Sequence, residues 1–174
     1  GRRTGQGYRF AVTDNGIVIT DGAEARGVVA QSIGGGGGTG GMHVTGVFAK
    51  NSSPISVGVG GSGSGGGNAG SATIVRGGTS LASGIVSTNG VGAHAVEASS
   101  IGGGGGEAGM NFIAGVSLAG SNNTASGFEA QFAIGGSGAE GGDGGAARVT
   151  NYSDIVTQKD NSHGILSQSI GGGG

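Results

Sequence analysis

The sequence predicts an all-β protein, a parallel β-helix (β-solenoid) with glycine-rich corners, and three observations predict it. The phrase QSIGGGGG at Gln31–Gly38 returns as SSIGGGGG from Ser99 and as QSIGGGG from Gln168, so Ile33, Ile101 and Ile170 stand 68 and 69 positions apart. A second phrase, GGSGSGGGNAGSATIV from Gly60, aligns without gaps with GGSGAEGGDGGAARVT from Gly135, 75 positions on. Between these landmarks the apolar residues fall in β-branched runs of four to eight, bounded by Gly, Ser and Asn, without helical periodicity. Repeated short strands with turn punctuation indicate a solenoid, a propeller or an array. Propeller blades run to about 40–50 residues with aromatic signatures, which this chain lacks. A β-sandwich accounts less well for the repetition.

Taken in order, Arg9–Thr13 and Gly16–Thr20 read as strands split by the turn residues Asp14 and Asn15. Gly27–Ile33 is a third strand running into glycines. The middle copy reads as Ala72–Val75, Gly84–Ser87 and Ala95–Ile101, with a loop insertion in its first interval. The last reads as Ala147–Thr150, Asp154–Thr157 and Gly164–Ile170. The variable parts between landmarks hold strands at Met42–Phe48, Ile55–Val59, Met110–Leu118 and Gly127–Ile134. The chain, 1–174, is thus one repeat-built segment with imperfect repeats near 9–38, 60–106 and 135–174. It reads as part of a longer chain, since it opens on Gly1-Arg2-Arg3 without methionine and stops inside a glycine tract. With coils of about 20 to 25 residues, one repeat would span three coils. Ile33, Ile101 and Ile170 are expected to fill equivalent core positions, with Gly34, Gly102 and Gly171 forming the corners that follow.

Composition bounds the rest. There are 48 glycines in 174 residues, about four times the usual share of about 7%. Hydrophobic residues make up 34% and charged ones only 10%, the reverse of a disordered chain. Five Phe, two Tyr and no Trp leave a thin core in which backbones approach closely. A net charge of −2 supplies no basic field for nucleic acid. The absence of cysteine excludes disulfides and cysteine metal sites. No window approaches the roughly 18 apolar residues of a membrane helix.

Repeats of the form Gly141-Gly142-Asp143-Gly144-Gly145, Val149-Thr150-Asn151, Ile155-Val156-Thr157, Ser162-His163-Gly164-Ile165 and Gln168-Ser169-Ile170 with its glycines resemble those of large autotransporter adhesin-like proteins of Gram-negative bacteria. The resemblance covers the last third well and residues 9–38 and 60–106 in degenerate form. The middle copy departs most, at Glu97 and Ser99. It implies a glycine-rich passenger region, exported through the outer membrane and displayed or released outside the cell. The translocating barrel of that family would show alternating strands and aromatic girdles, and none is visible in these residues.

Candidate chemistry is sparse. With this much glycine, a G-x-G-x-x-G match is expected by composition, and no Gly-Lys dipeptide exists for a phosphate loop. His94 and His163 occupy equivalent places, but Arg26 holds that place in the first copy, which breaks a metal ladder and leaves polar surface residues; His43 stands outside the series. No G-x-S-x-G or partnered triad nominates a nucleophile. Glu140 and Asp143 resemble a calcium nonapeptide, yet the aligned copy carries Gly65 and Asn68, so no cofactor is expected and calcium is the weaker reading. Sequons at Asn51, Asn122 and Asn151 are expected by composition. Thr13, Thr20, Thr150 and Thr157 pair seven apart as an ice-binding array would, but the middle copy breaks the pattern.

The expected function is therefore a structural and adhesive module, not an enzyme. It would be an extracellular or surface-displayed segment, associated with a Gram-negative outer membrane, that extends a fibre and presents loops to a host or neighbouring-cell surface or matrix component. No nucleic-acid partner or membrane insertion of this segment is expected. The alternative is a self-associating extracellular filament or matrix subunit. An enzyme on surface polysaccharide lacks the carboxylate cluster it would need.

Overall fold

The computed structural model describes residues 7–50, 55–77, 84–118 and 130–174. It is all-β among these residues: thirteen strands and no helix. The first repeat supplies β1 (Phe10–Asp14), β2 (Val18–Thr20), β3 (Val28–Ile33), β4 (His43–Lys50) and β5 (Ile55–Val59). The second supplies β6 (Ala72–Arg76), β7 (Val86–Thr88), β8 (Val96–Ile101), β9 (Asn111–Leu118) and β10 (Ala130–Ile134), and the third β11 (Ala147–Asn151), β12 (Ile155–Thr157) and β13 (Ile165–Ile170).

Every sheet takes one strand from each repeat it contains. β1-β6-β11, β2-β7-β12 and β3-β8-β13 are three-stranded, and β4-β9 and β5-β10 are two-stranded. All pairings are parallel and in register. Phe10 lies opposite Ala72, Val28 opposite Val96, and Ile55 opposite Ala130, so paired residues are 62, 68 and 75 positions apart. This corrects the expected coil of about 20 to 25 residues: one repeat makes one layer, not three. The insertion expected in the middle copy lies between β6 and β7, where nine residues stand against three between β1 and β2.

The core is thin and is centred on the middle layer, with Val28 and Ala30 joining it from the first. Val28, Ala30, Ala72, Ile74, Val86, Ala95, Val96 and Ala98 form one cluster, where β6 packs against β3 and β8. Alternation places Ala72, Ile74 and Arg76 inward on β6, and Val28, Ala30 and Ser32 inward on β3. The β2–β3 turn repeats its backbone in all three layers. Glu24, Gly92 and Asn161, equivalent by register, all take a left-handed φ of 57° to 69°. Only the middle copy has glycine there, and a Cβ at Gly92 would meet the Glu24 carboxylate of the layer above.

The middle layer is locked to its neighbours by a fully buried arginine. Arg76 is 0% exposed and stands in register with Asp14 and Asn151. Its guanidinium pairs with the Asp14 carboxylate, donates to the Gly16 carbonyl at 2.7 Å, and donates from Nε to Ser153 Oγ at 3.3 Å. One side chain therefore bridges all three layers. Removing one partner of a buried pair leaves an uncompensated charge, whereas a hydrophobic replacement of similar length is often tolerated. Asp14→Ala is therefore expected to lower unfolding stability by about 3 kcal/mol, with Arg76→Met much closer to wild type. Urea denaturation of the two variants checks this.

Candidate functional site: the glycine tracts and their outward faces

The glycine tracts are extended chains hydrogen-bonded at every third residue. The amides of Gly34, Gly37, Gly40 and His43 donate to the carbonyls of Ile101, Gly104, Glu107 and Met110. Gly60, Gly63, Gly66, Ala69 and Ala72 donate in the same rhythm to Ile134, Ser137, Glu140, Asp143 and Ala146. A three-residue period without internal bonds is that of the polyproline II conformation. The tracts form two layers. One holds 34–41, 102–109 and 171–174, running parallel. The other holds 60–70 and 135–145, also parallel, and the two layers run antiparallel to each other. Bonds cross between them, from Gly103 to Gly67 at 2.9 Å, Gly142 to Gly103 at 2.7 Å and Gly172 to Gly142 at 2.8 Å.

This packing explains which glycines are required. A Cβ at Gly34, Gly37 or Gly40 would overlap the carbonyl oxygens of Gly67, Ser64 and Gly61. A Cβ at Gly103, Gly106 or Gly109 would overlap those of Gly35, Gly38 and Gly41. The inner series 136, 139, 142, 145 follows the same rule, except that Ala139 carries a methyl. Outward positions differ: Gly36 and Gly173 have nothing within 4 Å of a built Cβ, and Gly104 has a neighbour only at 3.9 Å. Gly34 and Gly102 are thus sites of close backbone approach. They are not left-handed corners, since among the described glycines only Gly77 and Gly92 have such a φ. Gly171, at the end of the stack, has its nearest neighbour at 4.0 Å.

The three isoleucines are in register with one another, as Ile33↔Ile101 and Ile101↔Ile170. They do not fill a core: Ile33 is 56% and Ile170 45% exposed. They begin the outward series of each tract, Ile33-Gly36-Thr39-Met42 in the first repeat and Ile101-Gly104-Glu107-Met110 in the second. The opposite face presents Val59-Ser62-Gly65-Asn68 and Ile134-Ser137-Glu140-Asp143. In the QSI phrase it is the serine that turns inward. Ser32 Oγ donates to the Tyr8 carbonyl at 2.8 Å and accepts from the Gly70 amide at 2.9 Å. Ser100 Oγ likewise donates to the Gly70 carbonyl at 2.8 Å and accepts from Gly145 at 2.7 Å. These serines tie the sheet to the second glycine layer. Their recurrence at Ser32, Ser100 and Ser169 was the available signal.

Side-chain contacts also run from repeat to repeat along the stack. The His94 and His163 rings stack with centroids 4.9 Å apart, and the His163 amide donates to His94 Nδ1 at 3.0 Å. Arg26, above them in register, pairs through Nε with Glu97 at 3.1 Å. Asn68 Oδ1 accepts from the Asp143 amide at 2.8 Å; Glu140 and Asp143 are exposed. Among the described residues no group of three or more His, Cys, Asp or Glu could hold a metal ion. Asn51 and Asn122 lie outside the described residues, and Asn151 is engaged with Ser153.

Alanine at an inner position has to push two backbones apart, a disturbance of about 1–3 kcal/mol. At an open position it mainly reduces unfolded-state entropy and stabilises by about 0.4–1 kcal/mol. Gly103→Ala is therefore expected to lower the melting temperature and Gly104→Ala to leave it unchanged or raise it, although the two residues are adjacent. Thermal unfolding followed by circular dichroism checks the contrast.

No family model, curated protein or solved structure matches this chain.

Proposed function

We propose that the chain is a β-solenoid segment, each repeat forming one coil, that acts as a structural and adhesive scaffold outside the cell. The observation that carries this reading is the division of positions within the glycine tracts. Inner places are held to glycine by backbone contact, while outward places at one register differ between layers: Thr39 against Glu107, Gly65 against Glu140, Asn68 against Asp143. A backbone-bonded interior leaves the faces free to carry recognition, as a presenting scaffold requires. The resemblance to autotransporter passengers supports export to a Gram-negative cell surface and a host, neighbouring-cell or matrix component as the partner. No catalytic role and no cofactor are part of the proposal.

Beads coated with the protein are expected to be retained on cell layers or matrix films well above albumin-coated beads. Glu107→Ala combined with Glu140→Ala should change retention at least twofold without moving the melting temperature. Retention equal to albumin on every surface tried would sink the adhesive reading.

A further inference from the structure

We propose that Asn89, in the turn between β7 and β8, is a site of spontaneous deamidation, that Asn15, between β1 and β2, is protected from it, and that the change loosens the joint between the first two repeats. These are the two asparagines of the chain that are followed by glycine. The reaction needs no enzyme and no cofactor. The Gly90 backbone nitrogen forms a bond to the Asn89 side-chain carbonyl carbon, the bond from that carbon to the amide nitrogen breaks, and ammonia leaves with the proton given up by Gly90. Water then opens the resulting succinimide at one carbonyl or the other, giving aspartate or isoaspartate.

The two pairs differ in what holds the attacking nitrogen. The Gly16 amide donates to Asp14 Oδ1 at 2.9 Å, and the Asp14 carboxylate is itself fixed by Arg76. The Gly16 carbonyl accepts from Arg76 Nη2 at 2.7 Å, and the Asn15 carbonyl accepts from the Gly84 amide at 3.3 Å. To attack, Gly16 has to leave a charged acceptor and turn inside this net. Breaking a hydrogen bond to a charged group slows the step about tenfold or more. At Gly90 the bonds fall elsewhere. The Asn89 amide donates to the Thr20 carbonyl at 2.8 Å, and the Gly90 carbonyl accepts from Ser162 Oγ at 3.0 Å and from the Ala93 amide at 3.3 Å. Among the described residues the Gly90 amide has no acceptor. Asn89 is exposed, so water reaches it.

The fold keeps the labile pair together and accepts its product. A Cβ at Gly90 would lie 1.9 Å from the Gly22 carbonyl oxygen of the first repeat. Position 90 is therefore confined to glycine, which puts no Cβ in the way of the attack. Thr88 pairs with Thr20 and Thr157, which sets Asn89 between Asp21 and Gln158. The first repeat thus already carries a carboxylate at this place, and the third a longer amide. Deamidation puts a second carboxylate opposite Asp21, with Glu24 further along the same turn. Like charges facing each other across neighbouring strands weaken the pairing. The joint between the first two repeats loosens at this turn as the protein ages.

Peptide mapping by mass spectrometry of the folded chain, held for weeks at neutral pH, tests the site. Asn89 is expected to gain the mass of an amide-to-acid exchange, with isoaspartate among the products, at least about tenfold faster than Asn15. In urea, where Asp14 no longer holds Gly16, the two rates should converge. Asn89→Gln, which installs the third repeat's residue, should stop the change and keep the melting temperature. Asn89→Asp, which installs the first repeat's residue, should lower it by about 1–3 °C, and by less in high salt. Asn89 left intact in the folded chain, or Asn15 reacting as fast, overturns the proposal, as does an Asn89→Asp variant that melts no lower than wild type.

Discussion

The structure depends on backbones close enough to hydrogen-bond at every third residue with no Cβ between them. Tract 102–109 shows the constraint most fully. It donates to the 171–174 and 60–70 tracts and accepts from the 34–41 and 135–145 tracts, four neighbours in all. Glycine costs about 0.5–1 kcal/mol per residue in ordered structure relative to alanine, which a linker never recovers. Here each ordered turn of the tract gains bonds to neighbouring tracts worth about 1 kcal/mol each, together with the dispersion of backbones in contact. The chain can therefore be both glycine-rich and ordered.

The same constraint fixes the register of the sheets. A tract bonded on several sides cannot gain or lose a residue in one layer without breaking its three-residue rhythm. The spacing between layers is accordingly constant along each tract. It is 68 from β2 through the first tract to β4, and 75 from β5 through the second tract to β6. The spacing changes only between tracts. Between β1 and β2 it passes from 62 to 68, across the stretch that holds residues 78–83; between β4 and β5 it passes from 68 to 75, across the stretch that holds 119–129. Length variation is confined to the connections between the tracts.

Much of this was legible in the sequence. The three copies, all thirteen strands and the gap-free offset of 75 were readable because β-branched runs and glycine tracts alternate sharply. The size of the layer was not, because strand lengths and turn residues carry no mark of pairing distance, and the strands pair a whole repeat apart. The exposure of Ile33 and Ile170 was hidden for a related reason. An isoleucine closing a strand reads as core, but the period changes from two to three at that residue, and the new period turns it outward. Inner and outer places of the tract are often both glycine, as at Gly103 and Gly104, so composition alone does not reveal which is required. Arg76 needed the register: only when ATIVR is laid beneath FAVTD does its partner Asp14 appear.

Burial in this molecule belongs to the stack more than to any one layer. Strands of like sequence have different exposure according to place: β8 is buried at five of six positions, while its equivalents β3 and β13 alternate or lie open. A single layer has too little apolar volume to hold a core, and its side chains are covered by the same residues above and below. In such arrays each added layer contributes its own interface, and the end layers bear the cost of having one neighbour instead of two.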